Sequence, residues 1–187
     1  MSQPSQTLDK PSRLTTAEIA HYQREGYVLP KCSILPENDF LDLSTYFDLL
    51  LANWIKRGGQ PESMDCPHFY APGVLRGLLH PQVLDLVESV IGPDILLFAS
   101  HFLCKLPGSG LRVPWHEDSS YWQGQWTPME VVTIWLAIDQ SDLGNGCMKV
   151  IPRSHLNGYS EYTKLNEKAV FGTEIKEGTF DASLAVA

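Results

Sequence analysis

The 187 residues contain no Cys-x-x-Cys pair, no basic run, and no uninterrupted apolar stretch approaching the roughly 18 residues of a membrane helix. Four scattered cysteines, Cys32, Cys66, Cys104 and Cys147, describe neither a zinc site nor a disulfide framework and read as free thiols. Fourteen Lys plus Arg against 22 Asp plus Glu leave a formal net charge of −8, so nucleic acid and anionic membranes are not expected partners. Residues 1–13 (MSQPSQTLDKPSR) lack the apolar centre of a secretory signal, and the expected location is cytoplasmic. No histidine follows His155, and no arginine follows Arg153. The remaining composition, 43% hydrophobic and 19% charged, is that of a folded domain.

The expected organisation is a loose tail over residues 1–13 and one domain over 14–187, helical first and β-rich later. Thr15-x-x-Glu18 is a capping box opening a helix that stops at Gly26. Tyr27-Val28-Leu29 reads as a short strand. Phe40, Leu43, Phe47, Leu50, Leu51 and Trp54 recur at helical spacing between about Glu37 and Arg57. Residues 58–73 are turn-rich and read as a loop. Pro81 opens a helix closed by Gly92-Pro93. Then the periodicity changes. Residues 95–104 fit a buried strand, 130–138 (EVVTIWLAI) form the clearest strand, and Cys147 to Ile151 another, with an Asn145-Gly146 turn between the last two.

The sharpest chemical feature is Trp115-His116-Glu117-Asp118. In a strand side chains alternate faces, so a strand here would project His116 and Asp118 together and turn Glu117 away. An imidazole nitrogen and a carboxylate oxygen so placed make two-thirds of a 2-His-1-carboxylate facial triad. By itself His-x-Asp is a cheap pattern: six histidines and 11 aspartates in 187 positions give about 0.35 chance occurrences, and a surface histidine near a solvated aspartate is the reading it favours alone.

The surrounding residues are more specific. WHEDSSYW followed by VVTIWLAIDQSDLGNGCMKVIPRSHLNG resembles the phytanoyl-CoA dioxygenase family, whose pattern runs W-H-x-D-s-x-Y-W, v-t-x-W-x-A-l-D, then N-G-c-x-x-x-i-P-x-S-H. The likeness covers residues 95–158, and Leu14-Thr15 to Gly26-Tyr27-Val28 fits the family's opening. The resemblance implies an α+β fold with a mainly β core, a double-stranded β-helix (cupin-like jelly roll) carrying N-terminal helices. It implies an iron(II)- and 2-oxoglutarate-dependent dioxygenase that consumes O2 and hydroxylates or desaturates a small organic substrate. His116 and Asp118 take the positions of the iron ligands. Trp135 takes that of a tryptophan lining the 2-oxoglutarate pocket, and His101 stands where relatives often carry a cosubstrate-contacting methionine. Without the resemblance Trp135 would read as strand core and His101 as a satisfied inward-facing histidine. An intact Asp118 implies hydroxylation or desaturation rather than halogenation. Asn145-Gly146 and Ser154-His155 read as turn and packing signals.

The departures from the family are equally concrete. Its second iron-binding histidine, in an H-x-S segment, and its downstream arginine, a clamp for the distal carboxylate of 2-oxoglutarate, have no counterpart here. Arg153 replaces a common glycine, and no lysine stands between 57 and 104, where Arg76 is a doubtful substitute for a cosubstrate-contacting lysine. The expectation is therefore an incomplete barrel, C-terminally truncated, whose 187 residues alone show no turnover. The alternative is a non-catalytic jelly-roll binding module or an inactive short homologue. Residues 58–73 and 119–128 are the expected substrate-facing loops.

Overall fold

The computed structural model describes residues 13–31, 34–108 and 110–187. Cys32 and nearly all of the expected tail lie outside these; Arg13, the tail's last residue, pairs with Glu88 at 2.7 Å. Helix α1 (Thr16–Glu25) begins as the capping box predicts: Thr15 Oγ1 accepts from the Glu18 amide at 3.2 Å while the Glu18 carboxylate accepts from the Thr15 amide at 2.8 Å. It ends on Gly26 at φ +85°. Helix α2 (Glu37–Lys56) matches the expected span almost residue for residue. Helix α4 (Pro81–Ile91) begins on Pro81, with His80 as the cap whose side chain accepts from the Gln82 amide at 3.3 Å. Between them lies α3 (Gly73–Leu78), a six-residue helix that the apolar spacing is too short to announce. Its two glycines let α2 approach closely, since a Cβ at Gly73 would meet the Tyr46 ring and one at Gly77 the Leu43 side chain.

Apart from Pro114, the buried apolar side chains belong to this helical half. Leu14, Leu35, Phe47, Met64, Ala71, Val74, Val83, Leu86 and Val87 form the core among the described residues. Strand pairing is sparse. β1 (Met64–Asp65) pairs antiparallel with β2 (His101–Phe102), and β3 (Tyr162–Lys164) with β4 (Thr173–Ile175). Val150 bridges Val186. Short 3-10 turns stand at Pro67–Phe69, Asp118–Trp122, Ser154–Asn157 and Ala182–Leu184.

Several strand expectations fail here for one reason: β-propensity needs a partner strand to become a strand. Tyr27 to Leu29 is unpaired, and Leu29 is 76% exposed. Of residues 95–104 only His101–Phe102 joins a ladder, and Leu96 is 86% exposed rather than buried. Residues 130–138, with the strongest β composition, carry no ladder at all, and Ile134 and Trp135 are exposed. Cys147 to Ile151 contributes only the Val150 bridge. The loop expected over 58–73 instead contains β1 and a 3-10 turn and leads directly into α3. No closed barrel forms among the described residues. The 142–146 turn does form, held by the Asn145 side chain, which donates to the Gln140 carbonyl at 2.6 Å and accepts from the Asp142 amide at 2.9 Å.

The end of α1 is tied to the Ile151–Asn157 corner. The Arg153 amide donates to the Glu25 carbonyl at 2.8 Å, its guanidinium meets the Glu25 carboxylate at 3.1 Å, and His155 Nε2 bonds the Gln23 carbonyl at 3.1 Å. Arg153 sits at φ +66°, the left-handed region that favours glycine, which accounts for the glycine common there in the family the sequence resembles. Gly26 faces two demands, its positive φ and a Cβ that would collide with the His155 ring. The φ alone costs an L-residue about 1–2 kcal/mol. Gly26→Ala is therefore expected to lower Tm by about 2–8 °C in a thermal melt; an unchanged Tm would mean the corner yields freely.

A second tie joins the site segment to the 162–175 hairpin. Arg112 pairs with both Glu167 and Glu174, and the Glu174 carboxylate also accepts from the Trp115 amide at 2.9 Å. The Arg112 hydrogen bond chiefly holds the Glu174 carboxyl below its usual range. A carboxyl depressed on folding stabilises the fold above the unfolded value of about 4.3 and loses that contribution as pH falls through the folded value. Because Arg112 is about half exposed, the effect is about 1 kcal/mol or less. Melts between pH 6 and 3 should show a steeper acid loss in the native chain than in Arg112→Ala; equal slopes would remove the tie from the account.

Candidate metal centre

Pro114 is fully buried and leads into the site from an anchored position. Glu117 has extended backbone (φ −123°, ψ 127°), and its side chain is held on the far side, where the carboxylate accepts from the Ser160 amide at 2.5 Å. Its own amide donates to the Tyr162 hydroxyl at 2.9 Å. His116 and Asp118 consequently share the opposite face, with His116 Nε2 3.4 Å from Asp118 Oδ1. The alternation argument holds over this one extended residue, although not within a strand: Asp118 is the first residue of a 3-10 turn.

Each donor is itself oriented. His116 Nδ1 lies 2.8 Å from the Pro114 carbonyl, which only accepts, so Nδ1 carries the proton and Nε2 faces Asp118. Asp118 Oδ2 accepts from the Thr133 hydroxyl at 3.1 Å, leaving Oδ1 toward His116. Phe171 meets the His116 ring edge-on with centroids 4.8 Å apart and also contacts Tyr121. Burial by itself would lower the His116 pKa, but hydrogen bonds to Asp118 and Pro114, with the charge of Asp118, raise it overall. Asp118 is lowered, first by its hydrogen bond with His116 and further by that residue's charge, by Thr133 and by the charge of His101, against a burial effect that raises it.

His101 thus lies close enough to Asp118 for its charge to be felt there, and it stands on β2 opposite Asp65. It is exposed, not an inward-facing core histidine. Trp135 is 44% exposed and is likewise no core residue. Arg76 lies on α3 and pairs with Asp42 at 3.9 Å. His155 belongs to the α1 corner, as the packing reading expects. No group of three or more His, Cys, Asp and Glu side chains converges on a metal position among the described residues. A cleft of about 420 Å³ opens on the other side of His116, bordered by Trp115, Glu117, His155, Ser160 and Phe180, and includes neither Asp118 nor Trp135. Thr133 and Phe171 were missed in the sequence. Thr133 lies two residues before Trp135 in an extended-type run, which was a usable signal; Phe171 gave none, because a loop delivers it.

The donor set fits a divalent cation on two of its sides. Imidazole nitrogen and carboxylate oxygen each bind such ions near 2.1 Å, so adjacent octahedral positions stand about 3.0 Å apart, close to the separation found. Both donors also have the outer partners that fix tautomer and carboxylate direction in metal sites.

The family model of phytanoyl-CoA dioxygenase (PhyH) matches residues 54–181, most of the described chain and all of this site. Among curated proteins, human peroxisomal phytanoyl-CoA dioxygenase is 25% identical over 170 residues, covering 80% of this chain and 49% of its own. A phytanoyl-CoA dioxygenase of Arabidopsis thaliana is 36% identical over 63 residues, 34% of this chain and 22% of its own. A probable alpha-ketoglutarate-dependent hypophosphite dioxygenase of Stutzerimonas stutzeri is 26% identical over 118 residues, 63% and 40%. No solved structure matches the chain. The chain belongs to the phytanoyl-CoA dioxygenase (PhyH) family. It spans about half the length of the full-length human relative.

Proposed function

We propose that this chain carries a histidine and a carboxylate donor of an iron(II)- and 2-oxoglutarate-dependent oxygenase site built on a double-stranded β-helix. The observation that supports the reading best is the His116–Asp118 pair, each member singly oriented by an outer partner, inside the segment matched by the family. His116 would offer Nε2 and Asp118 Oδ1 to the ion. Trp135, held in the open, would border the cosubstrate, and His101 would present a polar edge near Asp118. Phe171 packs against the imidazole in an edge-to-face arrangement and helps hold the ring in place. A bound ferrous ion would supply the redox chemistry that couples decarboxylation of 2-oxoglutarate to oxidation of a small organic substrate. In that stoichiometry one oxygen atom of O2 enters succinate and the other the hydroxylated product, with CO2 released.

The deciding experiment measures succinate from 2-oxoglutarate with ferrous iron, on the polypeptide as its gene encodes it and on the 187 residues alone. Succinate from the encoded polypeptide, lost in Asp118→Ala, is the expected result. The 187 residues by themselves, with two ligands and no arginine clamp, are expected to give none. An encoded polypeptide that forms no succinate would favour the non-catalytic binding module.

A further inference from the structure

Residues 131–134 read Val-Val-Thr-Ile, a run in which any β-branched side chain satisfies the backbone equally. Thr133 is exposed, so neither packing nor propensity asks for its hydroxyl. That hydroxyl nevertheless donates to Asp118 Oδ2 at 3.1 Å, across 15 residues of chain. The second torsion of an aspartate is broad and nearly two-fold, so an unanchored carboxylate would present either oxygen in several directions. Here the Thr133 bond takes Oδ2 and leaves Oδ1 directed at His116 Nε2. The stiff first torsion of a β-branched residue keeps the hydroxyl aimed before any ligand arrives.

We propose that Thr133 is a positioning residue, holding the Asp118 carboxylate so that Oδ1 and His116 Nε2 converge on one divalent cation. The inference rests on the metal reading of the pair and adds to it a residue outside the His-x-Asp motif. Loss of an outer partner of this kind typically weakens metal affinity by about 10- to 100-fold.

The test is a manganese(II) titration of the 187-residue chain, followed by paramagnetic broadening of the His116 ring proton signals. Thr133→Val keeps the β-branched shape and removes only the donor; Thr133→Ser keeps the donor. Half-broadening should need about tenfold more manganese in Thr133→Val and return to within about twofold of the native chain in Thr133→Ser. Thr133→Ala takes the place of the valine variant if the latter does not fold by circular dichroism. Native broadening at His116 with an unchanged midpoint in Thr133→Val overturns the positioning role and leaves the metal pair standing. Absence of His116 broadening in the native chain overturns both.

Discussion

Replacing His116 with alanine should abolish divalent metal binding at this site, measured as loss of saturable manganese(II) binding in the 187-residue chain. The expected loss is large because the structure offers few substitutes. His116 Nε2 and Asp118 Oδ1 are the donors that face one another, and one of two ligands is half the set. Asp118→Ala should do the same by a different route, since it also releases the Thr133 hydroxyl. With either ligand gone, affinity should drop by at least about 100-fold, beyond the 10- to 100-fold typical of losing an outer partner. Both side chains are partly exposed, so neither substitution opens a core cavity, and the far-UV spectrum should be preserved. Unchanged metal binding in both variants would place the cation elsewhere and remove the basis of the proposed oxygenase site.

The helical half was legible in the sequence because its determinants are local. A capping box, a proline at the first helical position and terminal glycines act within one turn, and α1, α2 and α4 appear where those residues put them. α3 escaped because six residues with two glycines carry little periodicity. The β half was legible in composition and not in pairing. Residues 130–138 have the right side chains, yet a strand is defined by hydrogen bonds to a neighbour, and such bonds depend on residues distant in sequence. The site followed the same division. His116 and Asp118 were readable because one extended residue between them suffices to bring them together, even though the expected strand is in fact that single extended residue before a 3-10 turn. Thr133 and Phe171 reach the pair from 15 and 55 residues away and depended on the fold.

Met64→Ala should produce the largest stability loss of any single change considered for this chain. Met64 is completely buried, stands on β1 directly opposite Phe102, and Phe102 in turn packs on Phe47 of α2 with ring centroids 4.8 Å apart. Truncating a buried methionine to alanine typically costs about 2–5 kcal/mol through lost transfer energy and the cavity left behind. For a domain of this size that corresponds to a fall in Tm of about 4–20 °C. The consequence extends toward the site. β1 is the partner of β2, and β2 carries His101, whose charge is felt at Asp118. Beside them the buried His68 bonds the Ser100 hydroxyl at 2.6 Å, and the Cys66 amide donates to the Ser100 carbonyl at 2.7 Å, fixing the backbone one residue before His101. Loosening β1 should therefore raise amide hydrogen exchange at Cys66 and Phe102 more than at α1, which is anchored independently through Arg153 and His155. Uniform acceleration across both regions would show that the helical core and the α1 corner unfold as one unit, and His101 would then owe its position to the whole domain rather than to this short ladder.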